Sequence, residues 1–178
     1  MQDNDLIRLF LPLIQAGLST DFPSVVIKQA NQPTMQGINT APTVYFYKIG
    51  DRRYGFRQIT DVWDTVGSKE IHTETQQYET TFQISSLVLQ DVNNTSTFTA
   101  SDLVNQVAYI MQSDSTIFSL RNSNVGLLRV TEVTNPYFQD DRDQFEASPS
   151  FTFTLTHLQT IENEIDVIES VEEIVISI

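Results

Sequence analysis

The chain has 178 residues, 23 Asp and Glu against ten Lys and Arg, a formal net charge of −13, and no Cys. That length fits one domain, able to bury about 70% of its unfolded surface without a staple. The missing Cys excludes disulfides, thiolate zinc sites and Cys nucleophiles. The acidic balance disfavours nucleic acid as a ligand for the molecule as a whole. Residues 1–5 (MQDND) are polar and acidic, unlike a secretory signal. Apolar runs such as residues 9–14 fall far short of the roughly 20 residues that span a bilayer, so a cytosolic, soluble protein is expected.

Residues 4–18 are predicted to form a helix, because Leu6, Ile7, Phe10, Leu13, Ile14 and Leu18 recur at helical spacing behind a cap at Asn4 or Asp5. Pro12 is expected to kink or restart it, and Gly17 to weaken or end its last turn. SVVIKQ at 24–29 reads as a short strand, and NQPTMQGINTAP at 31–42 as a loop or extended arm. TVYFYKI at 43–49 reads as a strand with apolar residues in both phases, which predicts cover on both faces. GDRRYG at 50–55 has turn chemistry and predicts a hairpin with a basic tip. In the strand predicted at 78–90, Phe82 and Ile84 share one face, and a bulge at Ser85 and Ser86 would bring Leu87 and Leu89 onto it.

Thr99 and Asp102 approximate a capping box before a helix with an apolar stripe of Leu103, Val107, Ile110 and Met111. Residues 115–120 predict a second short helix, and residues 125–133 and 151–158 predict strands. In the latter, Phe151, Phe153 and Leu155 alternate with threonines, a half-buried antiparallel pattern. Residues 159–178 stay open: Ile161, Ile165 and Ile168 fit a helix, whereas Ile174, Ile176 and Ile178 suit an added strand. The expectation is a single α+β domain over 1–178, a mainly antiparallel sheet flanked by helices. Its parts are the helix 4–18, the arm 31–42, a β-rich core 43–158 and an acidic segment 159–178.

The stretch NPYFQDDRDQFEASPSF at 135–151 sets Asp140, Asp141, Asp143 and Glu146 among aromatic residues, in a loop between two sheet strands. Asp141 and Asp143 begin like an EF-hand, but Phe145 stands at the third ligand position and the turn glycine is missing. Loop oxygens offer a calcium or magnesium site, as a metal-dependent nucleic-acid-processing accessory using Asp143 would need. Arg142, inside the acid cluster, favours instead a loop that meets water or a partner. His72 and His157 are the only histidines, and no G-x-S-x-G, H-E-x-x-H or Gly-rich phosphate loop accompanies them. His157 falls in phase with Phe153 and Leu155, which predicts a hydrogen-bonded core or edge histidine.

Charge is polarised along the chain. Lys48, Arg52, Arg53, Arg57 and Lys69 are half of all basic residues, whereas residues 162–173 carry six acids and no base. Either these are solvated faces, or basic and acidic surfaces meet head to tail between identical subunits. On the second reading Arg52, Arg53 and Arg57 form one side of an interface, and Asp140, Asp141, Asp143 and Glu146 its complement.

Residues 43–56 (TVYFYKIGDRRYGF), 78–87 (YETTFQISSL) and 135–157 (NPYFQDDRDQFEASPSFTFTLTH) resemble the phage neck terminator family. These are tail-terminator, tail-completion or gateway proteins of tailed bacteriophages. The matching stretches keep the family's order and span most of the chain between 33 and 157. The resemblance implies a virion subunit, assembled in the host cytoplasm, with no catalytic residues, no metal, no cofactor and no membrane. Six copies would form a ring that closes the tail tube and joins it to the neck or connector, touching the sheath where the tail contracts. DNA would pass through the lumen, and a net negative wall would let it slide rather than hold it. A head-side connector ring of different stoichiometry is the nearest alternative.

Overall fold

A computed structural model describes residues 1–30, 41–67, 69–89, 96–139 and 145–165. In chain order the elements are α1 (Asp3–Leu18), β1 (Val26–Gln29), β2 (Thr43–Asp64), β3 (Lys69–Leu87), α2 (Ala100–Gln112), α3 (Asp114–Asn122), β4 (Gly126–Val130), β5 (Tyr137–Gln139), β6 (Phe145–Ala147) and β7 (Ser150–Ile165). Five strands form one sheet in the order β1-β2-β3-β7-β4, antiparallel except where β1 runs parallel to β2. The architecture is α+β, as the periodicities predict. β5 and β6 pair only with each other, inside the stretch that joins β4 to β7.

α1 forms one continuous helix through Pro12, and Gly17 lies within it. Asp3 and Asp5 stand in its first turn, where the helix dipole favours anions, and the Asp5 carboxylate accepts the Gln2 N–H at 3.0 Å. Leu6, Phe10, Ile14 and Leu18 recur every four residues and are buried against the sheet. Phe10 is the keystone, with ring centroids 5.6 Å from Phe46, 5.0 Å from Phe82 and 5.2 Å from Phe153, all edge-on. Gly17 serves close helix packing rather than termination: a Cβ there would lie 2.7 Å from the Ile110 side chain of α2. α2 begins at the expected capping box, where Thr99 Oγ1 accepts the Asp102 N–H at 3.1 Å and Asp102 accepts the Thr99 N–H at 2.8 Å. α3 is capped by Ser113, whose Oγ accepts the Thr116 N–H at 3.3 Å.

Four expectations are corrected. Gly50 and Gly55 do not turn the chain: each lies at a register shift, between Lys48 and Gly50 and between Tyr54 and Gln58, so their freedom is spent on bulges. Gly55 has φ +72°, which a side chain rarely tolerates. β2 therefore runs on to Asp64, whose Oδ1 accepts the Val66 N–H at 3.0 Å in the true turn. Second, β3 pairs without a bulge through Ser85 and Ser86. Ser86 faces the core and donates to the Ala100 carbonyl at 2.7 Å, and Leu87 and Leu89 stay exposed. Third, β7 continues to Ile165, so the β-rich region extends past residue 158 and Ile161 and Ile165 lie in a strand. Fourth, among the described residues the helices pack on one face of the sheet. Tyr45 and Tyr47, on the other, are half-buried, and the Tyr47 hydroxyl donates to Gln83 Oε1 at 2.6 Å. Of the arm expected at 31–42, residues 31–40 lie outside the described residues, as do residues 166–178.

Phe10→Ala removes the side chain on which three sheet phenylalanines converge. A loss of about 3–5 kcal/mol is expected, read as a lower urea midpoint with an unchanged m-value.

Candidate functional site

Beyond the helices, β2, β3 and β7 continue together as a three-stranded ribbon. β1 pairs with β2 only over Thr43 to Phe46, and β4 reaches β7 only over Phe153 to Thr156. Past these points, among the described residues, no strand pairs with either edge of the ribbon and no helix packs on its faces. Thr60, Val62, Ile71, Thr73 and Thr75, β-branched throughout, hold it extended.

A polar seam marks where the core ends and the ribbon begins. Lys48 Nζ lies 2.6 Å from Asp3 Oδ1 and 2.5 Å from Asp51 Oδ2. Thr80 Oγ1 donates to Asp51 Oδ1 at 2.8 Å and lies 2.9 Å from His157 Nε2. Since the single Thr80 proton points to the carboxylate, His157 must donate from Nε2, which fixes its neutral tautomer. Its ring stacks on Tyr78 at 5.8 Å, and its Nδ1 has no partner among the described residues. Burial, and then the nearby α-amino group, push the His157 pKa down. Burial opposes the charge on Asp51, but hydrogen bonds from Lys48 and Thr80 overcome it and hold that carboxyl below its ordinary range. As expected from its phase, His157 is a buried, hydrogen-bonded histidine.

The three arginines singled out in the sequence lie at the root of the ribbon, yet on different faces. Arg52 and Arg53 are successive strand residues and point to opposite sides. Arg53 sits over the Tyr78 ring, 5.9 Å from its centroid, and Arg57 pairs with Glu74 of the neighbouring strand. Arg52 has no ion pair among the described residues. Asp140, Asp141 and Asp143 lie outside the described residues, and Glu146 falls in the short strand β6. Among the described residues no three His, Asp or Glu side chains gather as metal ligands.

Farther out, His72 Nδ1 donates to Asp61 Oδ1 at 2.5 Å, with Glu74 3.5 Å from Nε2. The hydrogen bond to Asp61 raises the His72 pKa above the ordinary imidazole value. The sequence reading assigned no element to residues 58–77, where exposed apolar side chains of the ribbon lie: Ile59, Val62, Trp63 and Val66. The signal available was β-branched content on both sides of a Gly-containing turn, with Ile59, Asp61 and Trp63 facing Glu74, His72 and Glu70 across the hairpin. Two glycines that resembled a turn hid it.

These features define a two-layer α+β body continued by a long three-stranded ribbon. The family model described as E217 gateway protein gp29 matches residues 5–167, and the chain belongs to that family of phage neck proteins. No curated protein matches the chain. Among the described residues no helix is long and apolar enough to cross a membrane.

The two histidines are expected to titrate on opposite sides of about 6.5, the ordinary imidazole value. His72, raised, contributes stability below its unfolded pKa that is lost as pH rises through its folded one. His157, depressed, contributes stability above its unfolded pKa that is lost as pH falls through its folded one. Imidazole proton NMR checks both, and Asp61→Asn should lower the His72 midpoint while leaving that of His157 in place.

Proposed function

We propose that the chain is the subunit of a hexameric ring at the head–tail junction. The ring terminates the tail tube and joins it to the neck, with DNA passing through its lumen. The observation that carries this reading is the family match over residues 5–167. The fold suits the role: a body with helices on one face and a ribbon with two open edges presents different surfaces on different sides, as a closed heterologous ring requires. The mechanism is docking of protein on protein, without chemistry. Tail tube, neck or connector proteins, and the sheath of a contractile tail, are the partners it implies.

Arg52 remains the strongest of the interface residues proposed from charge, because Arg53 and Arg57 are engaged within the subunit. The acids at 140–146 are its proposed complement.

Native mass spectrometry of the purified chain, alone and on tail tubes, should give hexamers, and chelation of divalent metal should leave them intact. A ring of another stoichiometry that binds the head connector and ignores the tube would favour the head-side alternative. Cleavage of DNA, lost on Asp143→Asn, would favour the nuclease accessory. Arg52→Glu should raise the concentration needed for assembly about fivefold at low salt, an effect that fades as salt screens it. Unchanged assembly would remove Arg52 from the interface.

A further inference from the structure

Even-numbered residues of β3 and odd-numbered residues of β7 face the helices in the core, and their pairing continues without a shift into the ribbon. The same face therefore carries the cross-strand rows Ile59–Glu74–Ile161 and Trp63–Glu70–Ile165 near the tip. Ile59, Trp63, Ile161 and Ile165 are each between 45% and 59% exposed, although in the core this same face holds Phe82 and Phe153 at 0%. The polar row Asp61–His72–Asn163 lies between those two rows, so this strip sets four half-exposed apolar side chains among acidic and polar ones, the mixed composition of a contact surface rather than of a core.

The strip cannot fold back on its own body. From Arg53 to Asp64 a strand advances about 35 Å, at roughly 3.3 Å per residue. A compact chain of this length has a radius of gyration of about 16 Å, so the tip stands about one body width away. What covers it is another molecule, and charge selects which. Residues 58–79 and 158–165 carry seven acids and one lysine. The complementary surface, apolar and locally basic, lies on the other end of this same chain. Across α2, α3 and β4 two acids, Asp102 and Asp114, balance two arginines, but both acids stand at helix starts, and residues 115–131 hold Arg121 and Arg129 and no acid. On α3, Phe118 and Arg121 are one turn apart on the exposed side, and Tyr109 is exposed on α2.

We propose that the core-side face of the ribbon docks on the α2–α3 surface of a second copy, the next subunit of the ring, with Trp63 against Phe118 and Glu70 facing Arg121. This deepens the ring reading and rests on it. The contact is heterologous, ribbon to helices, and so repeats from subunit to subunit until the ring closes. Glu70 and Arg121 make no ion pair among the described residues, so their contact breaks none, while Glu74 on the same face keeps its pairs with Arg57 and His72.

Trp63 is the only tryptophan in the chain, so its fluorescence reports on the ribbon alone. Acrylamide quenching of the full chain is measured over a concentration series, with mass photometry on the same samples. The quenching constant should fall about threefold as rings form, as expected when a half-exposed indole is covered. Glu70→Lys and Arg121→Glu should each raise the assembly midpoint about tenfold, and the double variant should recover most of that loss, the signature of a direct pair. Both positions are exposed, and unchanged circular dichroism establishes that the subunits remain folded. Rings in which Trp63 stays as accessible as in the monomer would overturn the docking while leaving the ring reading intact. So would a double variant no better than the singles. Protection absent from rings already formed, and arising only when tail tubes or neck proteins are added to them, would place the ribbon on another protein and overturn it too. A chain that stays monomeric at every concentration and on tail tubes would sink the ring reading, and the docking with it.

Discussion

The architecture follows from a mismatch of rise. A helix advances about 1.5 Å per residue and a strand about 3.3 Å, so the 16 residues of α1 cover about 24 Å while the 19 residues of β3 extend over about 60 Å. No helix of this body can roof a sheet so long. The helices bury the half of the sheet that meets Phe10, and the remainder of β2, β3 and β7 must run on uncovered. The core and the ribbon are thus one sheet in two environments, and β3, paired on both sides along nearly its whole length, is the spine of both.

The transition between the environments is chemically explicit. On the core-facing side, Phe153 and Leu155 give way to His157, and Phe82 to Thr80, within two strand residues. The Lys48, Asp51, Thr80 and His157 seam satisfies polar groups where the helices stop, and Asp3 ties the start of α1 to it. Burying such groups without partners would cost about 1–3 kcal/mol each. The seam thus marks how far the apolar core extends.

Much of this was legible in the sequence where one face is buried. The α1 stripe, the capping box at Thr99 and Asp102, and the alternation from Phe151 to Leu155 were read correctly, because burial imposes a period on the residues that experience it. The ribbon was not read, because a strand exposed on both sides has no such period to impose. Its glycines compounded the error: Gly50 and Gly55 offer the same backbone freedom to a bulge as to a turn, and only the pairing with β3 distinguishes the two. Of the proposed interface residues, sequence clustering put Arg52, Arg53 and Arg57 together, but strand alternation separates them in space. Neighbours in a strand share a charge density in the sequence and not a surface in the fold. Family membership rested on long strings of residues, not on any of these local patterns.

The two open edges of the ribbon bear on life before assembly. An edge that no strand of the described residues pairs with is a template for a strand of another chain. The residues along those edges are an answer to that hazard: Arg52, Arg53, Arg57 and Asp61 on β2, Glu162 and Glu164 on β7. Each sheet edge that approaches another brings charge into a contact that has no water to spare, and every free copy repels every other through a net charge of −13. The acidity of the chain thus opposes unspecific edge-to-edge contact between copies. Only a surface that answers the ribbon in both shape and charge can end that isolation.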